Sequence, residues 1–216
     1  MATQRVTPVH EDTSSNQNIS ITSSFQANPA GCIIQSSQTL TFTNSSGSPV
    51  AINFIPNPID PNQQIFNNIP TLPGTGVPSL AQTPNASNGS VNYNVVAAGV
   101  TYGPFSIQVG TGPLQVLISM SGGVITATPN PAAIPPYSSV LGIAGTVAMY
   151  PDDPNNDYSI AWKASDPLTP ALTSPDGLPH GDSNTTIVND YKYTITSPKN
   201  PKLGGSGGGT VRIKGS

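Results

Sequence analysis

The stretch Phe105-Ser106-Ile107-Gln108-Val109-Gly110-Thr111-Gly112-Pro113-Leu114-Gln115-Val116-Leu117-Ile118 reads as two β-strands around a glycine turn. Phe105, Ile107 and Val109 alternate with polar residues, and Leu114, Val116 and Ile118 continue the alternation. A period of two places one set of side chains on a buried face. Gly110 to Pro113 are turn formers. The spacing predicts a β-hairpin, the clearest in the chain.

The same alternation extends outward. Ile19, Ile21 and Phe25 suggest a first strand. Leu40 and Phe42, then Asn44-Ser45-Ser46-Gly47-Ser48, then Val50, Ile52 and Phe54 predict a second hairpin. Residues 56–90 hold many Pro, Asn and Gly and few periodic apolars, which predicts a long loop serving as a functional excursion or interaction arm. Val91, Tyr93 and Val95 resume the pattern. Val124 to Ala127 predicts a short strand and Val140 to Tyr150 an apolar one. Tyr158, Ile160 and Trp162 alternate strictly. Tyr191, Tyr193 and Ile195 lead through a glycine-rich turn at Gly204–Gly209 to Val211 and Ile213. No window carries a 3.6-residue apolar stripe, and 24 prolines interrupt candidate helices, so almost no helix is expected.

Asn28-Pro29-Ala30 recurs as Asn130-Pro131-Ala132, 102 residues later, each time after the first strand of a half. Each half also closes on a glycine-turn hairpin. The expected fold is all-β, with two tandem antiparallel β-sandwich modules of immunoglobulin-like or jelly-roll type. Residues 1–17 form a flexible arm in this reading. Residues 18–121 form a neutral module with the 56–90 loop, and residues 122–216 form a second module. One jelly-roll of about eight strands is the alternative. The immunoglobulin likeness is architectural only, because no Cys…Trp…Cys pattern is present.

Charge divides the chain. Across the 139 residues from Thr13 to Pro151 the only charged side chain is Asp60. An ordinary soluble domain of that length carries roughly 35 charges. Net charge is −3, and no basic patch with interleaved aromatics exists, which argues against direct nucleic-acid binding. No apolar run approaches the ~20 residues of a membrane span. The polar N-terminus has no apolar core, so no signal peptide and cytoplasmic synthesis are expected. The final location expected is an assembled particle or an extracellular surface.

Few residues carry obvious chemistry. Asp152-Asp153-Pro154-Asn155-Asn156-Asp157 concentrates short oxygen-bearing side chains. Asp152, Asp153, Asn155 and Asp157 are candidate ligands for calcium, a hard cation with six to eight oxygen ligands. Asp176, Asp182 or Asp190 could complete the set. The loop does not match an EF-hand, and a solvated turn is the competing reading. A type-1 copper site would need His10, His180, Cys32 and a Met, but His10 lies in the arm and Cys32 has no neighbouring His or Met. Pro179-His180-Gly181-Asp182-Ser183 holds the residue types of a hydrolase triad, yet sequence neighbours rarely converge as one, and no Gly-x-Ser-x-Gly is present. No catalytic residue is assigned and no enzyme is expected. Cys32, the single cysteine, reads as a small buried hydrophobe. Tyr93, Tyr102, Tyr137, Tyr150, Tyr158 and Trp162 are candidate sugar-stacking residues that alternation also places in the core. Asn-x-Ser/Thr triplets at Asn18, Asn44, Asn85, Asn88 and Asn184 mean glycans only in a secretory context.

An uncharged surface suits contact with copies of itself, because interfacial charge must be desolvated and paired. The sequence therefore points to a non-enzymatic structural protein that self-assembles into a filament, lattice or particle shell. The alternative is a carbohydrate-binding or adhesive module, calcium-dependent if the Asp loop binds that ion.

Overall fold

The computed structural model describes residues 16–135, 141, 143, 145–153, 158–162, 170–173, 179–183, 189–196 and 206–213. Among them every regular element is a strand, as the alternation requires. The first half holds β1 (Asn16–Ile21), β2 (Ala27–Asn28), β3 (Gly31–Ile34), β4 (Thr39–Asn44), β5 (Val50–Phe54), β6 (Ile69–Leu72), β7 (Gly89–Ala97) and β8 (Val100–Val109). The second holds β9 (Leu114–Ser121), β10 (Val124–Thr128), β11 (Ala132–Ile134), β12 (Gly145–Pro151), β13 (Ser159–Trp162), β14 (Pro170–Thr173), β15 (Pro179–Ser183), β16 (Asn189–Thr196) and β17 (Ser206–Ile213).

Four sheets result, in the orders β2-β1-β4, β3-β8-β7-β5-β6, β10-β9-β12-β15-β14 and β11-β17-β16-β13. They are mixed and not purely antiparallel, which corrects the expected sandwich type. β1 runs parallel to β4, β3 to β8, β9 to β12 and β11 to β17.

The two hairpins predicted first do not form. β8 pairs with β3 and β7, whereas β9 pairs with β10 and β12. Gly110–Pro113 therefore carries the chain from one sheet to another. Likewise β4 pairs with β1, and β5 with β6 and β7, so Ser45–Pro49 is an arch between sheets. Asn44, fully buried, holds the arch. Its Nδ2 donates to the carbonyls of Ser48 and Leu72, both at 2.8 Å, and its Oδ1 accepts from the Ser46 amide at 3.0 Å.

Tight hairpins lie elsewhere. β7 and β8 join through Ala98-Gly99, both at positive φ (48° and 80°). β9 and β10 join through Gly122-Gly123 (58° and 81°). Two consecutive positive-φ residues match the right-handed twist of paired strands. The predicted pairing of the last two strands is present as β16–β17, but Gly207–Gly209 lie within β17 and not in the turn. Gly207 faces the backbone of Ile125 and Gly209 the Tyr193 ring, so a Cβ at either position would collide.

Other boundaries shift. The first strand begins at Asn16, inside the predicted arm, and Phe25 leaves it for a turn at φ 59°. The 56–90 segment is partly structured. It contains β6, buries Ile65 and Phe66, and runs along β4 through antiparallel bridges at Thr43–Pro78 and Leu40–Gln82.

Buried apolar side chains fall into two clusters. The first runs from Ile19 to Val109 and the second from Leu114 to Val211. Tyr93 sits centrally in the first, 5.4–5.7 Å from the rings of Phe42, Phe54 and Phe105. The pairing scheme occurs twice along the chain. β1 with β2 and β4 is matched by β9 with β10 and β12, and β3-β8-β7-β5 is matched by β11-β17-β16-β13. Both Asn-Pro motifs sit at the same place in the scheme, before β3 and before β11, and both peptide bonds are cis.

The halves meet through polar, uncharged side chains. Phe105, Ile107 and Val109 face the first cluster, so Ser106 and Gln108 face the opposite way. β11 lies against β7 and β8. Asn92 on β7 donates to the Ala133 carbonyl at 2.6 Å and accepts from the Ala133 amide at 3.0 Å. Gln108 accepts from the Thr146 amide at 3.1 Å. Part of the neutral surface of the first half is thus covered within the chain itself.

Candidate functional site

The sequence candidates scatter. Asp152 and Asp153 follow β12 and are exposed. The Asp152 carboxylate accepts from the Asp153 amide at 2.8 Å and from the Tyr158 hydroxyl at 3.3 Å, a local turn arrangement. Asn155 and Asp157 lie outside the described residues, as do His10, Tyr137 and Asn184. Among the described residues no three His, Cys, Asp or Glu side chains group to hold a metal. His180, Asp182 and Ser183 lie on β15, a strand where a polar loop was expected. Their register partners are Ala148, Thr146 and Gly145. Cys32 is half-buried on β3 against the first cluster, in a different sheet from His180.

The tyrosines divide by burial. Tyr93 is fully buried and Tyr158 nearly so, so neither offers a face to a sugar. Tyr102 is half-buried and packs on Phe25 at 5.1 Å. Burial pushes the Tyr93 hydroxyl well above the usual phenol range, with nearby Cys32 adding to the effect. That hydroxyl has no hydrogen-bond partner. An unpaired buried hydroxyl costs about 1–3 kcal/mol. Tyr93→Phe is therefore expected to raise the unfolding free energy by about 1 kcal/mol, read as a higher urea midpoint at unchanged slope. Of the triplet asparagines, Asn44 is buried and fully engaged, whereas Asn18, Asn85 and Asn88 are exposed.

Sheet edges carry proline where charged guards were missing. Pro70 sits in edge strand β6, and Pro29 separates edge strands β2 and β3. Pro129 and Pro131 lie between edge strands β10 and β11, and Pro170 opens edge strand β14. Proline cannot donate to an added strand, so it blunts edge pairing without charge. The segment along β4 instead presents side chains. Its Val77 is 61% and Leu80 90% exposed.

One cleft lies where the 55–65 segment passes the start of β7 and the Gly110–Pro113 crossover. Its space, counted out to the open mouth, is about 400 Å³. Asn57, Gln63, Asn88, Ser90, Pro113 and Gln115 line it, with no charged residue. The walls are braced. Asn57 Nδ2 donates to Gln63 Oε1 at 2.9 Å, and Ser90 Oγ donates to the Gly112 carbonyl at 2.6 Å. Gln115 Oε1 is buried without a hydrogen-bond partner. Leaving an amide oxygen in that state costs about 1–3 kcal/mol unless water or a ligand donates to it. Sequence reasoning missed this cleft, because Asn57, Gln63 and Asn88 sit in the loop-rich 56–90 segment without periodicity and Gln115 reads as an ordinary outward-facing position of β9.

No protein-family model matches the chain, and no curated protein matches it. Solved structures with some likeness include a multicopper oxidase, 12% identical at TM-score 0.32, with 93% of this chain and 88% of that chain covered. Lac15 from a marine microbial metagenome is 11% identical at TM-score 0.30, covering 93% and 67%. A copper-containing nitrite reductase from Thermus scotoductus SA-01 is 12% identical at TM-score 0.28, covering 92% and 61%. Likeness at this level carries neither copper nor an activity to this chain.

Proposed function

We propose that this chain is a non-enzymatic structural protein that associates with copies of itself through the surface of residues 16–109, on which Asp60 is the one charged side chain. The observation that supports this reading is the single charge between Thr13 and Pro151, a span that contains all of residues 16–109 and whose exposed apolar side chains include Val77 and Leu80. Away from Asp60, such a surface can be covered by a copy with no ion left unpaired. Proline at the edges disfavours open-ended strand addition, so association runs through side-chain faces. The two core clusters and the twice-used pairing scheme further suggest two tandem sandwich modules, divided at Gly110–Pro113 instead of after Ser121.

Sedimentation velocity and electron microscopy across protein and salt concentration test this. The expected result is concentration-dependent assembly that added salt does not weaken, since no ion pairs are screened. Val77→Lys with Leu80→Lys is expected to shift assembly to at least ~10-fold higher concentration, the effect of about 1.4 kcal/mol per contact. A monomer at every concentration and salt would end the proposal.

A further inference from the structure

We infer that the cleft between Asn57, Gln63, Asn88 and Gln115 is a binding site for a neutral oligosaccharide. This rests on the cleft alone and not on self-assembly. The cleft is an open groove, about 400 Å³ counted out to its mouth, so a ligand lies along it and is not enclosed. Its lining has no charged side chain, so an ionic ligand would lose water without gaining a partner. The groups on offer are primary amides, each with two N–H donors and one carbonyl acceptor. Hydroxyls both donate and accept, and so suit this mixture.

The amides are unequally committed. Asn57 is tied on both sides, with Nδ2 to Gln63 and Oδ1 accepting from the Ile59 amide at 2.9 Å. It therefore acts as a brace. Gln115 lines the cleft, and its Oε1, shielded from solvent and unpartnered, gains a donor from a sugar hydroxyl once the side-chain amide turns toward the ligand. Asn88 is exposed at the rim. Pro113 in the cleft, and Ile55, Pro56 and Pro58 of the adjoining pocket that shares Asn57, Gln63 and Gln115, supply the apolar surface that C–H faces of a sugar ring require.

An extended peptide fits less well. Strand addition needs an open edge, but β7 is flanked by β5 and β8, and β9 by β10 and β12. No carboxylate lines the cleft, so this binding needs no calcium.

The test is a titration of the full-length ¹⁵N-labelled chain, followed by its side-chain amide resonances. The probes are cellotetraose, laminaritetraose, mannotetraose and chitotetraose, with trigalacturonic acid and a neutral tetrapeptide amide as comparisons. The expected result is saturable shifts of the Gln115 and Asn88 side-chain amides with at least one neutral oligosaccharide, unchanged by EDTA. Gln115→Leu should weaken that binding at least ~10-fold, the effect of one lost buried hydrogen bond. Asn88→Ala is a rim substitution that leaves the core intact, and should weaken it several-fold. No saturable shift with any neutral oligosaccharide overturns the inference. So does binding that survives both substitutions, or a response to the acidic sugar or peptide alone.

Discussion

Asn92→Ala is expected to lower the unfolding free energy by about 2–6 kcal/mol, because it orphans two buried backbone groups at once. Asn92 is 1% exposed, and both ends of its amide are used by Ala133. Alanine leaves the Ala133 N–H without its acceptor, Asn92 Oδ1, and the Ala133 C=O without its donor, Asn92 Nδ2, each at about 1–3 kcal/mol. A typical domain has only about 5–15 kcal/mol in total, so the loss is large. Because the bond joins a strand of the first core to one packed on the second, the two cores should also uncouple. Urea unfolding followed by Tyr and Trp signals should split into two transitions, where the wild type shows one. Asn92→Asp adds a sign. A buried carboxylate opposite a carbonyl oxygen favours its protonated form, which can donate, so its folded pKa rises above the unfolded value of about 3.9. The folded state then binds more protons, and stability falls as pH rises through that range. The variant should be more stable near pH 4 than near pH 7. A single cooperative transition with little loss in Asn92→Ala would show that the contact does not hold the halves together.

Gly112→Ala is expected to destabilise by about 3 kcal/mol or more, at the upper end of overpacking effects, and to abolish folding at physiological temperature if the margin is small. A Cβ at residue 112 would land on the backbone nitrogen and Cα of Gly89, neither of which can rotate aside. The crossover would have to lift off the start of β7, and the Ser90 bond to the Gly112 carbonyl at 2.6 Å would be lost with it. Thr111→Ala, one residue earlier and exposed, is the control and should stay within about 0.5 kcal/mol. Thermal melts of the two variants side by side decide the matter. Equal melting temperatures would show that the crossover does not need close backbone approach.

The same glycine explains why Phe105–Ile118 is not the hairpin its spacing predicts. Gly110-Thr111-Gly112-Pro113 has the composition of a hairpin turn, but Gly112 serves a tight crossing against Gly89. The tight hairpins use Ala98-Gly99, which carries a weak turn signal, and Gly122-Gly123, which carries a strong one. The recurrence of Asn-Pro-Ala was a better guide. It sits at equivalent points of a strand pairing used twice. The charge gap was fully legible, but its use was not. Asn92 and Gln108 show that some neutral positions are buried between halves, while Leu80 shows that others remain exposed.

Alternation is local, and so the sequence by itself determined which side chains turn inward. Ile19, Ile21, Leu40, Phe42, Val50, Ile52, Tyr93, Val95, Phe105, Ile107, Val116 and Ile118 are all buried as their spacing requires. Strand partnership was decided only by the tertiary structure. Backbone donors and acceptors are the same on every strand, so pairing follows from which faces can close a core together. Phe105–Val109 closes the first core and Leu114–Ile118 the second, and the turn between them cannot record that difference. The cleft belongs to the same class of fact. Asn57 and Gln63 meet within one loop, but Gln115 joins them and Asn88 only once the two halves are packed, because no local pattern brings residues so far apart in the chain to one place.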